Sequence, residues 1–122
     1  MKSKQIALLA REACEEKKAE DIVILDIRKL SSIADYFVIA SGTSDRHVRA
    51  IAESVLDKLE EKDIKCAHVE GIQESRWVLL DFSDIIVHVF HPETRQFYNL
   101  ERLWGEAAKF QEVKVKPRKK AT

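Results

Sequence analysis

The chain has 122 residues, 45% of them hydrophobic, with three Gly, two Pro, and 21 basic side chains balanced by 21 acidic ones. That is enough chain to bury one core, and it is too apolar to be disordered throughout. The apolar stretch Ile6 to Ala10 runs directly into the charged REACEEKK, which argues against both a secretory h-region and a membrane span, so a soluble cytoplasmic protein is expected.

The zero net charge hides a split. Residues 109–122 carry six basic side chains and one acidic, a net of +5, so the preceding 108 residues, with 15 basic and 20 acidic, have a net of −5. A body of that sign is poorly suited to gripping a phosphate backbone over its whole surface, and direct nucleic-acid recognition is not expected. It suits a basic protein partner better. Residues 1–110 read as one domain and 111–122 as a basic, flexible C-terminal tail.

In chain order, a first helix is expected after Ser3, with Ile6, Leu9, Ala10, Ala13 and Cys14 on its buried side. Two β-branched or aromatic runs follow, Ile22 to Ile27 and Tyr36 to Ser41, joined through KLSSIAD, whose Ser and Asp residues suit a turn. Thr43 and Ser44 are candidate N-caps for a second helix, with Asp45 in its first turn. Its apolar stripe is Val48, Ile51, Ala52, Val55, Leu56 and Leu59. Cys66 to Gly71 is a weaker strand signal, Trp77 to Phe90 reads as a hairpin, and a short helix is expected around Leu100 to Ala108. The order predicts an α/β domain: a mixed sheet of about five strands with flanking helices.

The hairpin is the most informative element. If its loop is Phe82 and Ser83, then Asp81 faces Asp84, Leu79 faces Ile86, and Trp77 faces His88, all on one side. The other side is then Val78, Leu80, Ile85, Val87 and Val89, without a polar residue. One side is pure core, and the other ends in paired carboxylates.

Enzymatic readings of these residues are thin. Gly42-Thr43-Ser44 follows a strand and opens a helix, a geometry that presents backbone N–H groups to phosphate, but it lacks a Walker lysine or GxGxxG pattern. A turn with a helix cap is the plainer reading. Asp81 and Asp84 have the residue type for magnesium, although carboxylates flanking a tight turn also cap its backbone. His47 and His68 have no second ligand at metal spacing, and His88 and His91 would point to opposite sides of a strand. Cys14 and Cys66, far apart and in no CxxC pair, fit reduced thiols. No catalytic residue, cofactor or metal site is assigned.

The segments Ala34 to Val48 (ADYFVIASGTSDRHV), Glu70-Gly71, Trp77 to Phe90 (WVLLDFSDIIVHVF) and Glu93 to Trp104 (ETRQFYNLERLW) together resemble the Iojap family of ribosomal silencing factors, collinearly over about residues 3–106. Ser83 departs from the family pattern, which has glycine there. The resemblance implies a fold similar to a minimal nucleotidyltransferase domain, without its catalytic acidic pair. It also implies a non-enzymatic translational repressor that binds the large ribosomal subunit through its protein fourteen and blocks joining of the small subunit. The partner-binding residues expected on this basis are Trp77, Asp81, Asp84 and His88 from the hairpin, with Tyr98, Asn99, Glu101 and Arg102 from the segment after it. A homodimer is compatible with this reading, and the competing expectations are a nucleotide-binding or transferase enzyme using Gly42 to Ser44 with Asp81 and Asp84, and a scaffold or dimeric adaptor without a ribosomal partner.

Overall fold

The structure, a computed structural model, describes residues 2–94. The elements are α1 (Ser3–Glu16), β1 (Glu20–Asp26), β2 (Tyr36–Ser41), α2 (Asp45–Glu60), β3 (His68–Glu70), β4 (Trp77–Asp81) and β5 (Ile85–Phe90). The expected helix around Leu100 to Ala108 and the basic tail lie outside the described residues.

The five strands form one mixed sheet in the order β1-β2-β5-β4-β3. β2 and β5 pair in parallel at its centre, and the other pairs are antiparallel. Central position explains why YFVIAS and IIVHVF are near-continuous apolar runs rather than alternating ones. Both are buried along their whole length, so both sides of the sheet must be covered there.

Both helices pack on the same side. Ile6, Ala7, Ala10, Ala13 and Cys14 of α1 join Val48, Ile51, Ala52, Val55 and Leu59 of α2 over Val38, Ala40, Val78, Leu80, Ile85, Val87 and Val89 of the sheet. Ala7 takes a fully buried place, while Leu9 is only half-buried. The small α1 residues let that helix lie close to α2. Ser44 caps α2 as expected, its Oγ accepting from the His47 N–H at 3.1 Å. α1 starts at Ser3 itself and is capped through Lys2, whose N–H donates to Gln5 Oε1 at 3.1 Å.

The hairpin register differs from the expected one by one pair. Asp81 is opposite Ile86, Leu79 opposite His88, and Trp77 opposite Phe90, so Asp81 and Asp84 do not face each other. The loop is Ser83-Asp84, because Phe82 is drawn into the helix-side core at 5% exposure. Burying a Phe side chain contributes about 2 kcal/mol, whereas Ser and Asp at the tip give up nothing to solvent. Within the strands the side assignments survive, because the shift moves each residue's partner by two positions and side-chain parity has period two, whereas Asp84 leaves the face for the loop. Ser83 sits at φ 75°, with the Asp84 N–H donating to the Phe82 carbonyl at 2.9 Å and the Ser83 N–H to Asp81 Oδ1 at 2.8 Å. Asp81 therefore builds the turn, and Asp84 is its exposed tip.

Candidate docking face

The side of the sheet opposite the helices is aromatic at its centre and acidic at one border. Leu25, Phe37, Ile39, Ile86 and Phe90 from the strands, with Ile27 and Ala34 from the β1–β2 connection, form its buried cluster, and Trp77 and Leu79 pack against it half-exposed. Register sets the border. Glu70 is opposite Leu79 and His68 is opposite Asp81, so the edge strand β3 places His68 and Glu70 on this same side, beside Trp77, Leu79 and Asp81.

His88 lies at the centre. Its ring meets Phe37 edge-on at 4.6 Å and lies parallel to Phe90 at 6.2 Å. The Trp77 indole Nε1 donates to His88 Nδ1 at 3.1 Å, diagonally across the β4–β5 pair. An indole nitrogen only donates, so Nδ1 is the acceptor and the His88 proton resides on Nε2. Nε2 is buried and has no hydrogen-bond partner among the described residues. Burial also pushes the His88 pKa down to about 4, so the ring is neutral near pH 7.

Of the expected partner-binding residues, the fold gathers Trp77, Asp81 and His88 on this face. Asp84 stands off it at the hairpin tip, where its carbonyl accepts from the Asp35 N–H at 2.8 Å. Tyr98, Asn99, Glu101 and Arg102 lie outside the described residues. Glu70 and Leu79 were absent from the sequence-derived set. The Glu70-Gly71 dipeptide was the available signal: Gly71 sits at φ 81°, where an added Cβ would lie 2.2 Å from the Trp77 carbonyl oxygen. Only glycine lets the end of β3 approach the backbone of Trp77 so closely.

The Gly42-Thr43-Ser44 turn has its own internal occupants. The Gly42 N–H donates to the Phe90 carbonyl at 2.9 Å and the Thr43 N–H to His47 Nδ1 at 2.8 Å. His47 Nε2 in turn reaches the Lys17 carbonyl at 2.7 Å, tying the end of α1 to the start of α2. A Cβ on Gly42 would lie 2.8 Å from the Val48 backbone nitrogen, so the glycine is explained by close strand-to-helix packing. Among the described residues, no group of three or more His, Cys, Asp or Glu is placed to hold a metal ion. Both cysteines are free thiols, and burial pushes that of Cys14 up to about 12, away from the reactive thiolate.

Fold and face together define a small single-sheet α/β protein whose distinctive surface is a partly exposed, acid-bordered aromatic side of the sheet. A model of the family described as "Ribosomal silencing factor during starvation" matches residues 1–122. The chain belongs to this family of ribosomal silencing factors, which places it among ribosome-associated regulators of translation. It is 49% identical to the ribosomal silencing factor of Bacillus subtilis over 107 residues, covering 88% of this chain and 91% of that one. A crystal structure of a Chromobacterium violaceum protein superposes with a TM-score of 0.84 at 42% identity, covering 86% of this chain and 88% of the other. The chloroplastic protein Iojap of Zea mays is 38% identical over 101 residues, covering 83% of this chain and 44% of its own length.

Proposed function

We propose that this protein is a non-catalytic repressor that binds the large ribosomal subunit through its protein fourteen and prevents the small subunit from joining. The observation that carries this reading is the face presented by Trp77 and Leu79, supported from beneath by the buried His88, behind an acidic border of Glu70 and Asp81 in a chain of the ribosomal silencing family. An acidic border steers a basic ribosomal protein toward the face, and a half-exposed indole provides the kind of anchor on which interface energy concentrates. Silencing is then steric. The bound domain occupies surface that the small subunit needs, and no covalent bond is made or broken. Tyr98, Asn99, Glu101 and Arg102 extend the contact surface in this reading, which takes residues 1–110 as the docking domain, with the cytoplasm as its place of action.

The test is subunit association followed by sedimentation. Purified large subunits are preincubated with a saturating excess of the protein, then mixed with small subunits. Free subunits should accumulate, and the protein should travel with the large one. Unhindered association at saturation would sink the reading.

A further inference from the structure

A cleft of about 240 Å³ opens on the docking face, lined by Glu70, Gly71, Trp77 and Leu79. Its components match one kind of guest. Trp77 contributes a half-exposed indole, Leu79 an apolar wall, and Glu70 a carboxylate on the adjacent edge strand. The Glu70 carboxylate is oriented by His68, whose Nε2 lies 2.8 Å from Oε2, leaving Oε1 to a second donor. The close approach of Gly71 to the Trp77 carbonyl keeps the carboxylate and the ring on one cleft.

We propose that this cleft receives an arginine side chain of the basic partner, its guanidinium lying on the Trp77 indole and donating to the Glu70 carboxylate. Charge complementarity favours a cation: residues 1–94 hold 13 basic and 18 acidic side chains, a net of −5. The mix of ring and carboxylate favours arginine over lysine. A planar guanidinium is weakly hydrated, stacks on an aromatic face and still directs N–H donors to a carboxylate, whereas an ammonium is a compact, strongly hydrated charge. The proposal rests on the docking reading above, and it names what the partner inserts.

Two measurements on the full chain separate the proposal from that reading. The first uses no ribosome: the Trp77 indole N–H resonance is followed while N-acetyl-arginine methylamide is added, with the lysine analogue at equal ionic strength as control. The arginine compound should shift the resonance saturably and more than the lysine compound, and Glu70→Gln should abolish the difference. The second is affinity for purified large subunits, which Glu70→Gln should weaken about three- to tenfold with an unchanged melting temperature, since the side chain is exposed. Wild-type affinity in Glu70→Gln overturns the proposal while leaving the docking reading standing. A wild-type chain that fails to bind subunits but shows the arginine-selective shift overturns the docking reading and keeps the cleft. If the effect of Glu70→Gln on subunit binding disappears once residues 111–122 are deleted, the chain's own basic tail is the occupant, and the partner-arginine proposal is overturned.

Discussion

Trp77 and His88 are not opposite each other in the hairpin, yet the indole of one donates directly to the imidazole of the other at 3.1 Å. The bond is diagonal, made possible because both side chains leave the same side of adjacent antiparallel strands. It links a half-exposed anchor to a buried ring, whose Nδ1 accepts the indole proton only while the imidazole is neutral.

That linkage gives a pH dependence with a definite sign. Unfolded His88 has the ordinary pKa of 6.5, while burial holds the folded value at about 4. Above pH 6.5 both states are neutral and the full stability is present. As pH falls from 6.5 toward 4, the unfolded chain takes up a proton that the native ring refuses, and stability is lost by up to roughly 3 kcal/mol. Below pH 4 the native ring protonates too, and this contribution levels off. Urea unfolding at about pH 7.5 and about pH 4.5 should show the loss in wild type. In His88→Leu the acid-dependent loss should be smaller, although its stability at neutral pH is also expected to be lower, because the Trp77 indole has lost its acceptor. Equal acid sensitivity in the two proteins would remove His88 as the cause.

Ser83 is strained where a glycine would not be. At φ 75° its Cβ is crowded, and left-handed backbone costs a non-glycine residue about 1–2 kcal/mol. Ser83→Gly should stabilise the protein by up to about 1 kcal/mol, the remainder being offset by the greater unfolded-state freedom of glycine. Calorimetry should record a melting temperature a few degrees higher. A lower one would mean that the Ser83 side chain contributes more than its strain costs.

Gly42→Ala has the opposite expectation. The new methyl would lie 2.8 Å from the Val48 nitrogen and 2.9 Å from its Cγ2, at the joint between β2 and α2. Val48 is fully buried, so the contact is relieved only by shifting the helix. A loss of roughly 1–3 kcal/mol is expected from equilibrium unfolding. An unchanged denaturation midpoint would show that α2 moves freely against the strand.

The two hairpin aspartates should separate experimentally. Asp84→Lys changes an exposed tip and should leave the fold intact, so any weakening of large-subunit binding reports charge alone. Asp81→Lys also removes the Oδ1 that accepts from the Ser83 N–H, and should cost about 1 kcal/mol of stability besides. Binding titrations at two salt concentrations, paired with melting curves, distinguish the two effects. Identical behaviour of both variants would place Asp81 outside the turn network.

The sequence by itself determined the element order over the described residues, the stripe of α2, the Ser44 cap and the membership of both sides of the hairpin strands, though not of its tip, where Asp84 leaves the face. Each of these rests on local periodicity or on side-chain chemistry within a few residues, which is legible without knowing what lies across the sheet. Only the tertiary structure decided the rest. The hairpin register moved by one pair because Phe82 found a place under the helices, and no local rule states how deep that core reaches. The place of Glu70 beside Trp77 depends on the pairing of a three-residue edge strand and on the contact of Gly71 with a carbonyl six residues further along the chain. The same holds for the Gly42 to Ser44 turn, whose first two amides are taken up by Phe90 and His47. Residue types announced what those segments were able to do, but the partners that settle what they do come from strands and helices distant in the chain.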